Sequence, residues 1–324
     1  MSRNPFKGTD ADQPGLAVIL ILSALVFLSF QDGLVKSSNT MSSLWQVQSL
    51  RAFFNLCLIF GGLTIAGQWA LLRPRNPRAV VARTLALICT MVLFFSGSPF
   101  LTLAEMGAGL YTYPVFMTVL SALFLRERIG IWRIGAILVA AVGAYLIVRP
   151  GSSEFHIAQL LPIGAGLTYA TNAIIVRRYC RAESPVTMAI WAGSGFLAIS
   201  LVGGVLISNM PLTDVARQAW PFLLDPWPTL SLIVVGIAAM AACCNVAGNI
   251  LIVKAYQSAE LSWLAPIDYT YLIFAAFWGY VMFSDLPGGS TVLGMALIAI
   301  AGTVTALRER KSSQHSHPPT SSQS

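Results

Sequence analysis

The uninterrupted apolar runs restrict this chain more than any other feature. Residues 15–30 read GLAVILILSALVFLSF and residues 135–148 read GAILVAAVGAYLIV, with no charged side chain in either. A helix needs about 20 mostly apolar residues to cross the hydrocarbon core of a bilayer. There every backbone N–H and C=O must find its partner within the chain. Barrel strands would alternate apolar and polar residues over about ten positions, and no such alternation recurs. Charged residues make up 10% of the chain and apolar ones 56%, at a mean hydropathy of +0.71. A soluble domain carries roughly 25% charged residues. The expected class is an all-α integral membrane protein.

The apolar runs predict ten transmembrane helices, over residues 16–36, 44–68, 80–101, 105–125, 131–149, 157–177, 185–208, 229–252, 260–283 and 289–307. The connections between them are short, which leaves no room for a soluble domain. Residues 209–228, NMPLTDVARQAWPFLLDPWP, are the exception. Their prolines and tryptophans predict a surface segment at the lipid–water boundary, where aromatic rings settle.

The net charge of +7 reads as a topology signal and not as a nucleic-acid surface. Numbered outward from the N-terminus, one side collects Arg3, Lys7, Arg73, Arg75, Arg78, Arg83, Arg126, Arg128, Arg133, Arg177, Arg178, Arg181, Lys254, Arg308, Arg310 and Lys311, 16 of the 20 basic residues. The other side holds Lys36, Arg149 and Arg217, and Arg51 falls inside the second span. Basic residues stay on the cytoplasmic side, so both termini are expected there, in a multi-pass membrane protein. The first apolar run is followed by FQDGLVK and not by a small-residue cleavage site, so no cleavable signal is expected. Cys57, Cys89, Cys180, Cys243 and Cys244 lack C-x-x-C spacing and read as small apolar core residues. His315 and His317 lie in a polar tail expected to be disordered. No metal or cofactor is expected.

Two stretches read almost alike: YTYPVF at residues 111–116 and YTYLIF at residues 269–274, an offset of 158 (269 − 111). At that offset Glu127 also falls opposite Asp285 and Gly130 opposite Gly288. After a one-residue shift, Gly135 matches Gly294 and Gly143 matches Gly302. The hexamers lie in the fourth and ninth expected spans. With five spans per half, the second copy enters the membrane the other way up, as in inverted-repeat carriers. The expected organisation is a cytoplasmic segment 1–15, a first repeat 16–153, a second repeat 154–307 and a tail 308–324. Pro99, Pro114 and Pro266 mark expected helix breaks, either where irregular backbone lines a cavity or as packing kinks.

These residues resemble a known group. QDGLVKSSN (31–39) with WQVQSLRAF (45–53) is similar to the opening helices of the EamA-type branch of the drug/metabolite transporter superfamily. Residues 113–147, with Glu127 at the branch's acidic position, and residues 265–306 resemble its two copies of the fourth and fifth helices of a repeat. Asp285 stands where Glu is commoner, and Leu272 replaces the proline found at Pro114 in the first copy. The resemblance spans residues 15–310. It implies ten helices in two inverted five-helix repeats, both termini inside, and transport of a small metabolite across a bacterial inner membrane.

Charge within a bilayer is costly, so each instance needs a reason. Asp32, Lys36 and Arg51 are expected to cluster near the external mouth, either as a gate or substrate site or as an ion pair locking helix one to helix two. Glu105 and Asp268 are candidates to hold a proton or a substrate amine, Glu105 alternatively being a loop residue. Tyr169 with Asn172, and Asn245 with Asn249, each share a helix face and need partners on neighbouring helices or on a ligand. Tyr111, Tyr113, Tyr269 and Tyr271 offer stacking surface for a planar or amphipathic molecule, and aromatic packing explains them as well. Trp191 and Trp263 are weaker candidates. No H-E-x-x-H, G-x-S-x-G or Walker loop is present, so no catalytic residue is assigned. The reading is a secondary transporter of an amino-acid-like, nucleoside-like or vitamin-like metabolite, working by alternating access. A passive pore, a lipid flippase or a membrane enzyme are the alternatives. Its partners are the small-molecule substrate, the bilayer and a candidate coupling proton.

Overall fold

A computed structural model describes residues 14–67, 69–125, 131–150, 155–258 and 261–316. Among them the secondary structure is helical throughout. The chain runs through α1 (Pro14–Ser37), α2 (Leu44–Ala66), α3 (Pro77–Ser96), α4 (Leu103–Leu110), α5 (Tyr113–Leu125) and α6 (Ile131–Val148). It continues through α7 (Leu161–Tyr179), α8 (Pro185–Asn209), the short α9 (Asp214–Ala219) and α10 (Pro221–Leu224), then α11 (Leu232–Ser258), α12 (Leu261–Asp268), α13 (Thr270–Phe283) and α14 (Gly289–Ser316). Each of the ten expected segments contains helix. Seven described stretches are long and apolar enough to cross a membrane; α6 and α14 contribute shorter apolar helices.

Local chemistry sets the starts and stops. Asn76 caps α3 by accepting the Ala79 N–H, with Pro77 in the first turn, where a missing N–H costs nothing. Ser184 followed by Pro185 does the same for α8. α2 ends on Gly67, whose φ of +63° suits glycine. α13 ends on Ser284 at φ +56°, a left-handed conformation for a non-glycine residue. α14 runs to Ser316, past the expected end at 307, because the helix formers Ala306–Lys311 carry the turn on.

The largest helix pairings are α1 against α11, α6 against α14 and α3 against α7, followed by α2 against α8. At the α6–α14 crossing a Cβ on Gly143 would sit 2.8 Å from the Gly294 carbonyl, and one on Gly294 would sit 2.6 Å from the Gly143 carbonyl. Small residues let backbones meet this closely.

Four expectations are corrected. Residues 209–228 do not simply rest on the surface: Phe222 is fully buried among Val35, Leu44, Val47 and Phe94, Trp45 Nε1 donates to the Leu223 carbonyl at 2.9 Å and Gln46 Nε2 to the Pro228 carbonyl at 2.8 Å. Pro99 lies in the turn between α3 and α4, because α3 already ends at Ser96. Pro114 sits in the first turn of α5 and kinks nothing, since a proline is tolerated there. Of the cysteines, Cys180 and Cys244 are buried, whereas Cys57, Cys89 and Cys243 face outward. Burial pushes the Cys180 thiol up from its ordinary value, opposed by Arg83. Arg3, Lys7, Arg126, Glu127, Arg128, Gly130 and His317 lie outside the described residues.

Candidate functional site

The fourth and ninth expected spans are both interrupted, and both interruptions fall in the twin hexamers. α4 ends at Leu110 and α5 begins at Tyr113; α12 ends at Asp268 and α13 begins at Thr270. Glycines seat the breaks. A Cβ on Gly109 would fall 2.4 Å from the Pro162 ring, and one on Gly166 would fall 2.8 Å from the Thr112 hydroxyl and 3.0 Å from the Leu110 carbonyl. α7 therefore packs directly on the first break. On the other side the Tyr269 ring covers Gly302 so closely that a Cβ there would overlap its hydroxyl.

The breaks bring the four expected tyrosines together. Tyr111 stacks on Tyr271 (centroids 5.1 Å apart, planes 17°) and meets Tyr269 edge-on at 5.5 Å and Tyr113 at 5.9 Å. Tyr113 packs edge-on against Tyr169 at 5.0 Å. Tyr111, Tyr269 and Tyr271 belong to the core shared by α1, α4, α13 and α14. A cavity of about 10 Å³, room for roughly one water, lies beside Tyr111 and Tyr269 under Gly302.

A carboxylate borders the cluster on each side. Asp32 of α1 accepts the Tyr271 hydroxyl at 2.6 Å and Gln31 Nε2 at 3.0 Å. Gln31 Oε1 in turn accepts Arg51 Nη1 at 3.4 Å, and the guanidinium lies 5.5 Å from the centre of the Phe95 ring. Both Asp32 and Arg51 are buried. Asp268, at the end of α12, accepts the Tyr113 hydroxyl at 3.4 Å.

Lys36 does not join the expected trio with Asp32 and Arg51. Its Nζ donates to the Leu101 carbonyl at 2.6 Å and the Ser98 carbonyl at 3.2 Å, and pairs with Asp285 at 3.7 Å. The turn after α3 offers free carbonyls one helical turn beyond Asp32, and they outcompete a deeper partner. Glu105 is a cap: its carboxylate accepts the Thr102 N–H at 2.9 Å, while Thr102 accepts the Glu105 N–H. This is a capping box, and it explains the acid at that position. Asn172 accepts Arg83 Nε at 3.1 Å, and Arg83 Nη1 also donates to the Met188 carbonyl at 3.0 Å. Tyr169 and Asn172 thus serve different partners. Asn249 donates to the Asn245 carbonyl of its own helix and faces outward. Pro266 lies inside α12 one turn or less before the break. Trp191 donates to the Leu72 carbonyl, away from the tyrosines; the Trp263 side chain lies outside the described residues.

Gln31, Arg83 and Tyr256 escaped the sequence reading. Gln31 is an uncharged polar residue next to an Asp, and Arg83 was absorbed into the positive-inside count. Tyr256 falls at the end of a span, where a ring reads as an interfacial anchor.

The chain is similar to known membrane transporters. The chain is 30% identical over 207 residues to the riboflavin transporter of Vibrio cholerae, a match covering 64% of this chain and 63% of that one. It thus spans under two thirds of that relative. It is 24% identical over 286 residues to the pseudopaline exporter of Pseudomonas aeruginosa (88% and 93% covered). It is also 24% identical over 297 residues to the S-adenosylmethionine uptake transporter of Rickettsia prowazekii (91% and 94%). All three are named as transporters or exporters of an organic compound. No family model matches the chain. A solved crystal structure of 18% identity superposes with a TM-score of 0.60 over 91% of this chain and 98% of that one, which supports the fold alone. The tyrosine cluster is the candidate site.

Proposed function

We propose that the chain is a secondary transporter of a small organic metabolite in a bacterial inner membrane, built as ten spans in two inverted repeats of the EamA type. The observation that carries this is the pair of helix breaks in the twin hexamers, meeting ring to ring at Tyr111, Tyr269 and Tyr271. Interrupted helices at corresponding positions of two halves mark the substrate site of inverted-repeat carriers.

The packing supports the repeat. Exchanging each helix with its counterpart five spans on turns the α1–α11 pairing into α7–α3, while α2–α8 and α6–α14 map onto themselves. The connections support ten crossings. Lys36 reaches the turn 97–102 and Asp285, Phe100 stacks on His156 and meets Trp220 edge-on, Trp45 holds Leu223, and Arg149 bonds Ser290. The first, third, fifth, seventh and ninth connections thus gather at one end. At the other end Asn76 N donates to Glu183 and Arg178 to the Phe124 carbonyl. A missed span would break this parity. The arginine-rich end is cytoplasmic and the Lys36 end external.

In this reading each end closes in turn around the tyrosines, driven by an ion gradient, exchange or the substrate's own gradient. Riboflavin and S-adenosylmethionine, named for two relatives, are the first probes. Counterflow of either in proteoliposomes, saturable and accelerated by unlabelled substrate on the far side, is the expected result. Flux that rises linearly with concentration would replace the carrier with a pore.

A further inference from the structure

Asp268 stands apart from the other acids of the helix bundle. Asp32 is answered by Gln31, Tyr271 and the nearby Arg51; Asp285 by Lys36. Among the described residues no basic side chain meets Asp268, and its one hydrogen-bond donor is the Tyr113 hydroxyl at the long distance of 3.4 Å. Tyr113, which reaches it, packs edge-on against Tyr169 at 5.0 Å and against Tyr111 at 5.9 Å, and Tyr269 follows Asp268 in the chain. Tyr113, Tyr169, Tyr256 and Tyr269 come from α5, α7, α11 and the break before α13. The residue is only partly covered, and Tyr169 and Tyr256 each keep 37% of their surface open. Asp268 ends α12, one residue before the cap of α13.

A carboxylate that no described basic side chain meets, beside a cluster of tyrosines, is suited to a positive charge. Ring faces attract cations, and a carboxylate in a low-dielectric site lacks stabilisation until a cation or a proton arrives. Resting on the transporter reading above, we infer that Asp268 binds the cationic centre of an organic substrate, an amine, quaternary ammonium or sulfonium, with Tyr113, Tyr169 and Tyr256 around it. The Tyr111–Tyr271 stack lies deeper and takes the planar part of the same molecule. Asp32 is not the cation site, because its oxygens are already held by Tyr271 and Gln31.

Two probe pairs read the charge. S-adenosylmethionine carries a sulfonium that S-adenosylhomocysteine lacks, and benzyltrimethylammonium carries a positive charge that benzyl alcohol lacks. Binding to the purified full chain is measured by thermal shift, for wild type, Asp268→Asn and Asp268→Glu. At least one cation should stabilise the wild type over its neutral partner. Asp268→Asn should weaken that cation by about tenfold or more, and Asp268→Glu should restore most of the loss. Unliganded melting temperatures verify that the variants fold. The inference is overturned if neither cation is preferred, or if Asp268→Asn binds the cation as wild type does. It is also overturned if Asp268→Asn abolishes only pH-gradient-driven flux, which would make Asp268 a proton carrier. Proteoliposome counterflow separates the two levels. Exchange of neutral riboflavin without cation binding keeps the carrier and removes the cation site. Asp268-dependent cation binding without any exchange keeps the site and removes the carrier.

Discussion

At the level of single residues, burial decides which polar groups are structural and which are available. Arg51 is buried and held by one long bond to Gln31, by the Phe95 ring and by the charge of the nearby Asp32. A charge within a bilayer costs at least about 2.5–3.5 kcal/mol at its centre, and the transporter reading gives this one a role in the transport cycle. Arg51→Gln keeps a donor of shorter reach and should abolish metabolite counterflow while the protein still inserts and purifies as a folded species. Normal rates in that variant would remove Arg51 from the site. Tyr271→Phe deletes the 2.6 Å bond to Asp32. Side-chain hydrogen bonds within membrane bundles average roughly 0.6 kcal/mol, so a small fall in melting temperature is expected. The larger effect should be on apparent affinity, because Asp32 then loses its anchor to the second hexamer. Glu105, by contrast, caps α4 together with Thr102. Glu105→Gln can keep the capping box and should transport within about twofold of wild type; a loss beyond tenfold, read by counterflow, would return it to the site.

The interrupted helices depend on glycine at close approaches. Gly302 lies under the Tyr269 ring, with the space for a Cβ already taken by the hydroxyl. Gly302→Ala must push the ring aside, and overpacking costs typically 1–3 kcal/mol. The expected outcome is a clear drop in melting temperature together with loss of transport, whereas Gly135→Ala, on open surface, should change neither. A wild-type melting curve for Gly302→Ala would mean that the ring relocates freely. The hexamers themselves were readable as a repeat, but the breaks were not. Pro114 looked like the kink, yet the interruption precedes it at Tyr111 and Thr112, and the proline merely starts the next helix. Single-sequence periodicity registers a change of helix direction poorly when both pieces are apolar.

For the whole molecule, alternating access requires that the two ends open at different times. The Lys36 ammonium ties α1 to the turn after α3 and, through Asp285, to the connection before α14. In the proposed alternating-access cycle it would have to release for that end to open. Cysteines replacing Lys36 and Asp285 in a background freed of the five native cysteines, joined by a short bifunctional reagent, should stop transport, and reductant should restore it when the linker is cleavable. Undiminished transport in the cross-linked protein would show that this end need not open. Impermeant thiol reagents offer a second check: single cysteines at residues 76 and 183 should share one side of the membrane, and residues 100 and 220 the other.

The sequence alone determined the helical membrane class and the position of the apolar segments, and it carries the arginine distribution and the twin hexamers on which the proposed sidedness and the proposed repeat rest. These follow from composition, run length and repetition, which are properties of the chain read in order. Only tertiary structure decided that Lys36 leaves Asp32 for the carbonyls of residues 98 and 101, that Glu105 caps its own helix, that Phe222 enters the core and that Asp268 meets the Tyr113 hydroxyl and, among the described residues, no basic side chain. Each of these is a competition between partners far apart in sequence, and the winner is fixed by distance and burial, which no linear pattern encodes.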